Sequence, residues 1–276
     1  MMYVKKFDGS RQVFDKKKIY RTCIRIGANE QQANEIVNKV SSKIYNGITT
    51  KQILDLIFNE MNKFKSGFAK RIDLRQSISM LDPKPDFEIF SSLILKELGY
   101  KIKNNLIISG KCVEHEIDIV AMKNDKTLYV EVKHHQNPHA YTGLDIFLQA
   151  NSTFQSLKDG FALKKNRIDF NDVLIICNTK ISDHAKKYAD CMHINYLCWN
   201  YPDGGLERLV EEKKLYPITI IKDLDDQTRK KLTGNGIIIL KQIVESNLKD
   251  VSRKAKIGLS KLEEIKEDAL KILQIV

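Results

Sequence analysis

The stretch that most constrains the fold is EIDIVAMKNDKTLYVEVK, residues 116–133. Side chains on a strand alternate between two faces, so residues two apart point the same way. Ile117 and Ile119 therefore share one face and Glu116 and Asp118 the other. In the second run Val130 and Val132 share a face, and Glu131 and Lys133 take the opposite one. Asn124 and Asp125, between the runs, are turn formers. Folding the chain back about them sets Ile117 opposite Val132 and Ile119 opposite Val130. A slip of one residue would break this apolar pairing. The register predicts Asp118 opposite Glu131, and Glu116 opposite Lys133.

That placement has a chemical consequence. Two carboxylates facing each other across a strand pair repel, and a hard cation with oxygen ligands resolves the repulsion. Mg²⁺ is bound in this way, by one or two carboxylates together with water and phosphate. Lys133, one step along the same face, is placed to orient a water or to meet charge building on a phosphate. The bland alternative is a hairpin face whose charges are simply solvated.

Asp118, the turn, and Glu131-x-Lys133 resemble the motif of the PD-(D/E)XK nuclease superfamily, with Ile117 where the family's proline stands. The Mrr-like restriction endonucleases and the archaeal Holliday-junction resolvases are closest in pattern. Asn178, Thr179, Ala185, Tyr188, Ala189 and Trp199 are similar to the NT…A..YA…W pattern of the Mrr-like enzymes, extending the likeness over 86–213. The resemblance implies Mg²⁺-dependent hydrolysis of DNA phosphodiesters, with Mn²⁺ able to substitute. Asp118 and Glu131 would be metal ligands, Lys133 the catalytic cation, and Glu88, on the helix before the hairpin, a further acid. Enzymes of this kind serve restriction-modification or DNA repair and recombination.

The chain is basic, with 46 Lys and Arg against 35 Asp and Glu in 276 residues. The surplus is uneven. Residues 1–80 hold 16 basic and 7 acidic side chains, 81–215 hold 18 and 19, and 216–276 hold 12 and 9. The first segment is thus the one suited to an anionic ligand. No run is long enough for a membrane span, and MMYVKKFDGS lacks the apolar core of a signal peptide. Five cysteines without CxxC spacing, and Cys191-x-His193 as a poor metal motif, fit a reduced, cytoplasmic protein.

In the first segment, Asp8-Gly9 marks a hairpin. Asp15 stands where a helix cap belongs, and further helices are expected over about 29–45, after Thr49 or Thr50, and over about 66–80. A helix N-terminus near a Thr and several lysines makes a phosphate site. VKKFDG (4–9), FDKKKI (14–19) and YNGITTKQI (45–53) resemble the ATP-cone, a nucleotide-sensing module. By that resemblance Lys6, Lys18 and Thr50 would hold ATP or dATP, with Lys5 and Arg11 close by. Phe7 departs from the pattern of many cones, which carry a second basic residue there. The segment lacks a Walker-type loop, so the nucleotide is expected as an effector rather than a fuel.

Prolines in SMLDPKPD (79–86) place a boundary there. Beyond it a helix runs over 86–98, a strand over 101–109, and then the hairpin. The polar loop 134–145 follows, with His134 a candidate substrate contact; Gln149, on the helix 144–161, is another. DVLIICNT (172–179) is a near-continuous apolar run, as in a strand buried on both faces. Helix, strand and helix then follow to residue 214, suiting a mixed sheet flanked by helices. LTGNGIIILKQIV and KIGLSKLEEIKEDALKIL each read as helix, glycine turn and helix. They resemble helix-hairpin-helix modules, which hold DNA backbones without reading sequence; a helical cap or dimerisation segment is the alternative.

The expected fold class is α/β and multidomain: a mostly helical cone with a small hairpin (1–80), a restriction-endonuclease-like mixed sheet flanked by helices (86–215), and a small helical domain (218–276). The expected function is a DNA endonuclease regulated by ATP or dATP, with DNA and nucleotide as partners, a homo-oligomeric state and no membrane. A nucleotide-sensing DNA-binding regulator with an inactive nuclease fold, and an assembly factor driven by the cone, are the alternatives.

Overall fold

The computed structural model describes residues 2–274. Near the start, the Asp8 carboxylate accepts bonds from the Ser10 N–H (2.9 Å) and hydroxyl (2.6 Å). Gly9, at φ +81°, completes the turn that pairs β1 (Tyr3–Lys5) antiparallel with β2 (Arg11–Val13). Asp15 caps α1 (Lys16–Arg25) through the Lys17 N–H. Reciprocal Asn29–Gln32 and Thr49–Gln52 capping boxes open α2 (Glu30–Ser41) and α3 (Thr50–Met61), satisfying amides that a helix start leaves bare. Ile19, Cys23, Ile36, Val40, Ile57 and Met61 close a core of their own.

The helix expected over 66–80 is not continuous. A 3-10 turn covers Ser66–Lys70, and α4 (Leu74–Ser79) is separate. Between them Arg71 is extended and bridges Ile221, while the Ile72 N–H donates to the Ile220 carbonyl at 2.9 Å. Pairing with a distant segment overrides local helix preference there.

After α4, Pro83–Phe87 form a wide turn into α5 (Glu88–Glu97). A five-stranded sheet follows, in the order β3 (Lys101–Ser109), β4 (Glu114–Lys123), β5 (Lys126–Lys133), β7 (Asp172–Cys177), β9 (Asn195–Leu197). β3, β4 and β5 are antiparallel neighbours; β5, β7 and β9 run parallel. The parallel half needs crossovers, and α6 (Leu144–Ala162) and α7 (Asp183–Met192) supply them. A short parallel pair, β6 (Tyr141–Thr142) with β8 (Lys180–Ile181), had no signal in the sequence. Below the sheet Ile117, Val120, Tyr129, Phe147, Phe170 and Ile175 form the core. α8 (Gly205–Lys213) ends this part. The fold is mixed α/β.

The closing segment holds α9 (Asp226–Thr233), α10 (Leu240–Glu245), α11 (Leu248–Ala255) and α12 (Leu259–Leu273). Gly236 (φ +79°) and Lys256 (φ +53°) turn the chain between members of two successive helix pairs. Leu240, Ile243, Leu262, Ile265 and Ile272 are buried. Lys70 pairs with buried Asp268 at 3.2 Å, so this segment packs against the end of the first. The chain accordingly divides into two compact units, one of Leu74–Pro217 and one of the segments preceding and following it.

Candidate active site

The hairpin register follows the apolar pattern as far as Ile119 opposite Val130, with Lys123 opposite Lys126 at the turn and Asn124 at φ +52°. There the ladder stops. β4 continues beside β3, with Ile117 opposite Leu106 and Glu116 opposite Ile107. β5 continues beside β7, with Glu131 opposite Ile175 and Lys133 opposite Cys177. The sheet therefore opens as a fork where the two acids would have met. The expected pairings of Ile117 with Val132, Asp118 with Glu131 and Glu116 with Lys133 thus form no part of the β4–β5 ladder. β3 and β7 each hold one arm of the opening, which spares the two acids a direct, buried and repulsive pairing.

Instead the Asp118 carboxylate bridges the fork, with Oδ2 accepting from the Val132 N–H at 2.9 Å. The aspartate is 7% exposed, and it satisfies an amide that the broken ladder would orphan. Glu131 accepts a bond from the Tyr129 hydroxyl at 2.5 Å. Burial pushes the Glu131 carboxyl above its ordinary range; the Tyr129 bond opposes the shift and Asp118 adds to it. Glu88, at the start of α5 and 4% exposed, is likewise raised by burial first and by Asp118 second. Asp118 thus acts electrostatically on both Glu88 and Glu131. Lys133 is half-buried at the end of β5, and its ammonium stabilises the charged form of Glu131. Among the described residues no hydrogen bond or ion pair holds that ammonium.

A residue outside the expected set joins them. The Lys84 ammonium lies 3.2 Å from Glu88 Oε1, 3.0 Å from Glu116 Oε1 and 3.4 Å from Asp118 Oδ1. Its protonated form is held well above the usual lysine range, chiefly by Glu116, with Glu88 and Asp118 adding to the effect. Lys84 stands four residues before Glu88, but its extended backbone lies outside that helix, so helical spacing gave no guide to the contact. The flanking prolines read as a boundary and hid it.

Tyr129 was also not anticipated, although it lies two residues before Glu131 on the same strand face. Its hydroxyl also meets Thr153 on α6. Gln149 lies one turn before Thr153 on that helix, exposed. His134 turns inward: Nε2 is 3.1 Å from the Ile78 carbonyl, the ring packs on Phe87 at 4.9 Å between centroids, and burial lowers its pKa. It does not sit as a solvated loop histidine. Asn178, fully buried, clamps the strand end. Its Oδ1 accepts from the His135 N–H and its Nδ2 donates to the His135 carbonyl, both at 2.8 Å.

The donors at the fork are hard oxygens, and Glu131 keeps a second oxygen beyond its Tyr129 bond. Hard oxygens are the ligand type that small divalent cations take. Among the described residues no group of three or more acidic, imidazole or thiol side chains is placed to hold a metal ion by itself. A cation here would complete its coordination with water or phosphate, as Mg²⁺ commonly does.

The nucleotide candidates lie on the other unit. Lys5 stands opposite Arg11 across β1–β2 and bridges Thr49, and its N–H donates to the Ile48 carbonyl at 2.9 Å. The hairpin thereby lies beside the start of α3, where Thr49 is the cap and Thr50 the first helical residue. Lys5 and Arg11 thus place two like charges opposite each other on this exposed strand pair, an arrangement unfavourable on its own. Lys6 follows on the turn, and Lys18 lies exposed in the first turn of α1.

Fold and site together define a protein with a nucleotide-type cone joined to a mixed sheet. Residues 2–76 match the ATP cone domain, and residues 216–273 match the family described as AF1548-like, C-terminal. An uncharacterized protein of Archaeoglobus fulgidus is 35% identical over 184 residues, spanning 65% of this chain and 98% of the relative. A structure described as "Crystal Structure of Protein of Unknown Function AF1548" aligns with a TM-score of 0.58 at 32% identity. It covers 68% of this chain and 96% of that one. The chain belongs to the AF1548-like family and carries an ATP-cone domain, which is consistent with a nucleotide effector. No helix among the described residues is long and apolar enough to cross a membrane.

Proposed function

We propose that the protein is a divalent-metal-dependent DNA endonuclease whose activity responds to ATP or dATP bound at the cone. The observation that carries this reading is the fork: Asp118 and Glu131 at the parting of β4 and β5, Glu88 beside them, and Lys133 one step further on, whose ammonium has no hydrogen-bond or ion-pair partner among the described residues.

On this reading Asp118 and Glu131 would hold Mg²⁺ or Mn²⁺, with Glu88 the neighbouring acid. The ion would supply a polarised phosphoryl oxygen and a more acidic water. Lys133 orients the attacking water and stabilises charge on the phosphate. Tyr129 fixes the Glu131 rotamer, and the Asp118–Val132 bond sets the distance between the strand ends. The Asn178 clamp on His135 keeps the end of β5, and hence Lys133, in place. Gln149 remains a candidate substrate contact. In the cone, Lys5, Lys6, Arg11, Lys18 and Thr50 would face the phosphates and sugar. The two C-terminal helix pairs would add sequence-independent contacts to the DNA backbone, and a homo-oligomer would bring two sites to one duplex.

A second reading, a nucleotide-sensing DNA-binding regulator with an inactive nuclease fold, is favoured by one observation: the Lys84 ammonium already stands among the acids. A panel of supercoiled, linear, nicked, branched and single-stranded DNA, incubated with Mg²⁺ or Mn²⁺ and with ATP, dATP or neither, separates the two. The endonuclease reading expects cleavage of at least one form at a rate that changes with nucleotide. Absence of cleavage on every form, with DNA binding still responsive to nucleotide, would support the regulator.

A further inference from the structure

We propose that Lys84 is a tethered cation that holds the acid cluster together in the metal-free protein and must be displaced when a divalent ion binds. The inference rests on the endonuclease reading for the identity of the site, and it concerns how that site is kept before loading. Three features distinguish this lysine from an ordinary surface one. Its ammonium meets three carboxylates from two elements, Glu88 on α5 and Glu116 and Asp118 on β4, at 3.2, 3.0 and 3.4 Å. Two of those, Glu88 and Asp118, are almost wholly buried, at 5% and 10% side-chain exposure, so they need a cation nearby. And Lys84 is set between Pro83 and Pro85, with its backbone extended at φ −128° and ψ 132°.

The last feature is mechanical. A residue before proline is disfavoured in the helical region, and each proline fixes its own φ. Lys84 is thereby kept out of the helix that begins at Glu88 and is presented from a stiff tripeptide. Little backbone entropy is lost when it docks on the acids. A metal ion that takes Asp118 as a ligand meets the repulsion of this ammonium until the lysine side chain, 58% exposed, swings into solvent. The device prevents the acids from repelling one another in the empty site, and it sets a threshold concentration for loading.

The test is Mn²⁺ binding to the full-length protein, followed by electron paramagnetic resonance of free Mn²⁺ and by titration calorimetry, with Lys84→Met, Lys84→Arg and Asp118→Asn variants. Lys84→Met should bind Mn²⁺ about ten- to a hundredfold more tightly than the wild type, the order expected on removing one opposing charge a few ångströms away. Lys84→Arg, which keeps the charge, should stay near the wild type. Thermal melts in EDTA should show Lys84→Met less stable than the wild type, and its gain in Tm on adding Mg²⁺ should be the larger. Equal or weaker Mn²⁺ affinity in Lys84→Met, with Asp118→Asn abolishing binding, overturns the proposal and leaves the metal site standing. So does an affinity gain of the same size in Lys84→Arg. If neither wild type nor Lys84→Met binds Mn²⁺, the metal-site reading falls and the proposal falls with it.

Discussion

Glu131 shows how much one buried acid can reveal. Its folded pKa is raised above the ordinary 4.5 by burial and by Asp118. A raised carboxyl contributes stability that is fully present below the unfolded pKa and is lost as pH rises through the higher folded value. Glu131→Gln removes that titration while keeping an acceptor for Tyr129. In EDTA, urea unfolding followed from pH 4 to 8 should show the wild type losing stability relative to Glu131→Gln as pH rises. A constant difference across that range would contradict the burial account. Lys133 makes the complementary case. Its alanine variant should bind DNA with little change and cleave it at least about 10²-fold more slowly, the size expected for loss of one transition-state charge contact.

At the scale of elements, the clamp and the parting of the strands depend on few residues. Asn178→Ala leaves the His135 N–H and carbonyl without their partner, and should destabilise the protein by about 1–3 kcal/mol in denaturant titration. Gly205, the first residue of α8, sits at φ +54°, and an added Cβ would lie 2.1 Å from the Cys198 carbonyl oxygen. Gly205→Ala should therefore lower Tm by several degrees. An unchanged Tm would show that the β9–α8 connection is looser than described.

The elements themselves were largely legible in the sequence. Apolar alternation fixed the hairpin to Ile119 opposite Val130, and the apolar run that begins at Asp172 became a buried strand over Asp172–Cys177. What could not be read was decided by partners far away in sequence. Arg71 is drawn into an extended bridge with Ile221, 150 residues on, and so breaks an expected helix. The sheet opens at Asp118 because β3 and β7 each hold one arm, a competition that no local pattern encodes. Lys84 reaches the acids across a turn whose prolines, in sequence terms, read only as an interruption. The residue types of the candidate site were legible; their exact company was not.

For the whole molecule, the informative fact is that the first 73 residues and the segment from Ile218 onward form one unit. Lys70–Asp268, Arg71–Ile221, the Ile72 N–H to Ile220 carbonyl bond at 2.9 Å and the Lys222 N–H to Lys70 carbonyl bond at 3.0 Å tie them together. Removing 218–276 should expose apolar surface and leave these groups bare. The truncated protein should melt at a lower temperature, and ATP should raise its Tm less than it raises that of the full chain. Equal ATP-induced shifts would mean that the cone is energetically independent of the closing segment.

The most direct measurement of the central claim is Mg²⁺-dependent strand cleavage, under single-turnover conditions on one responsive DNA substrate, by the wild type and by Asp118→Ala and Lys133→Ala. The account predicts cleavage by the wild type and its loss in both variants with DNA affinity retained. Cleavage at the wild-type rate in either variant would contradict it.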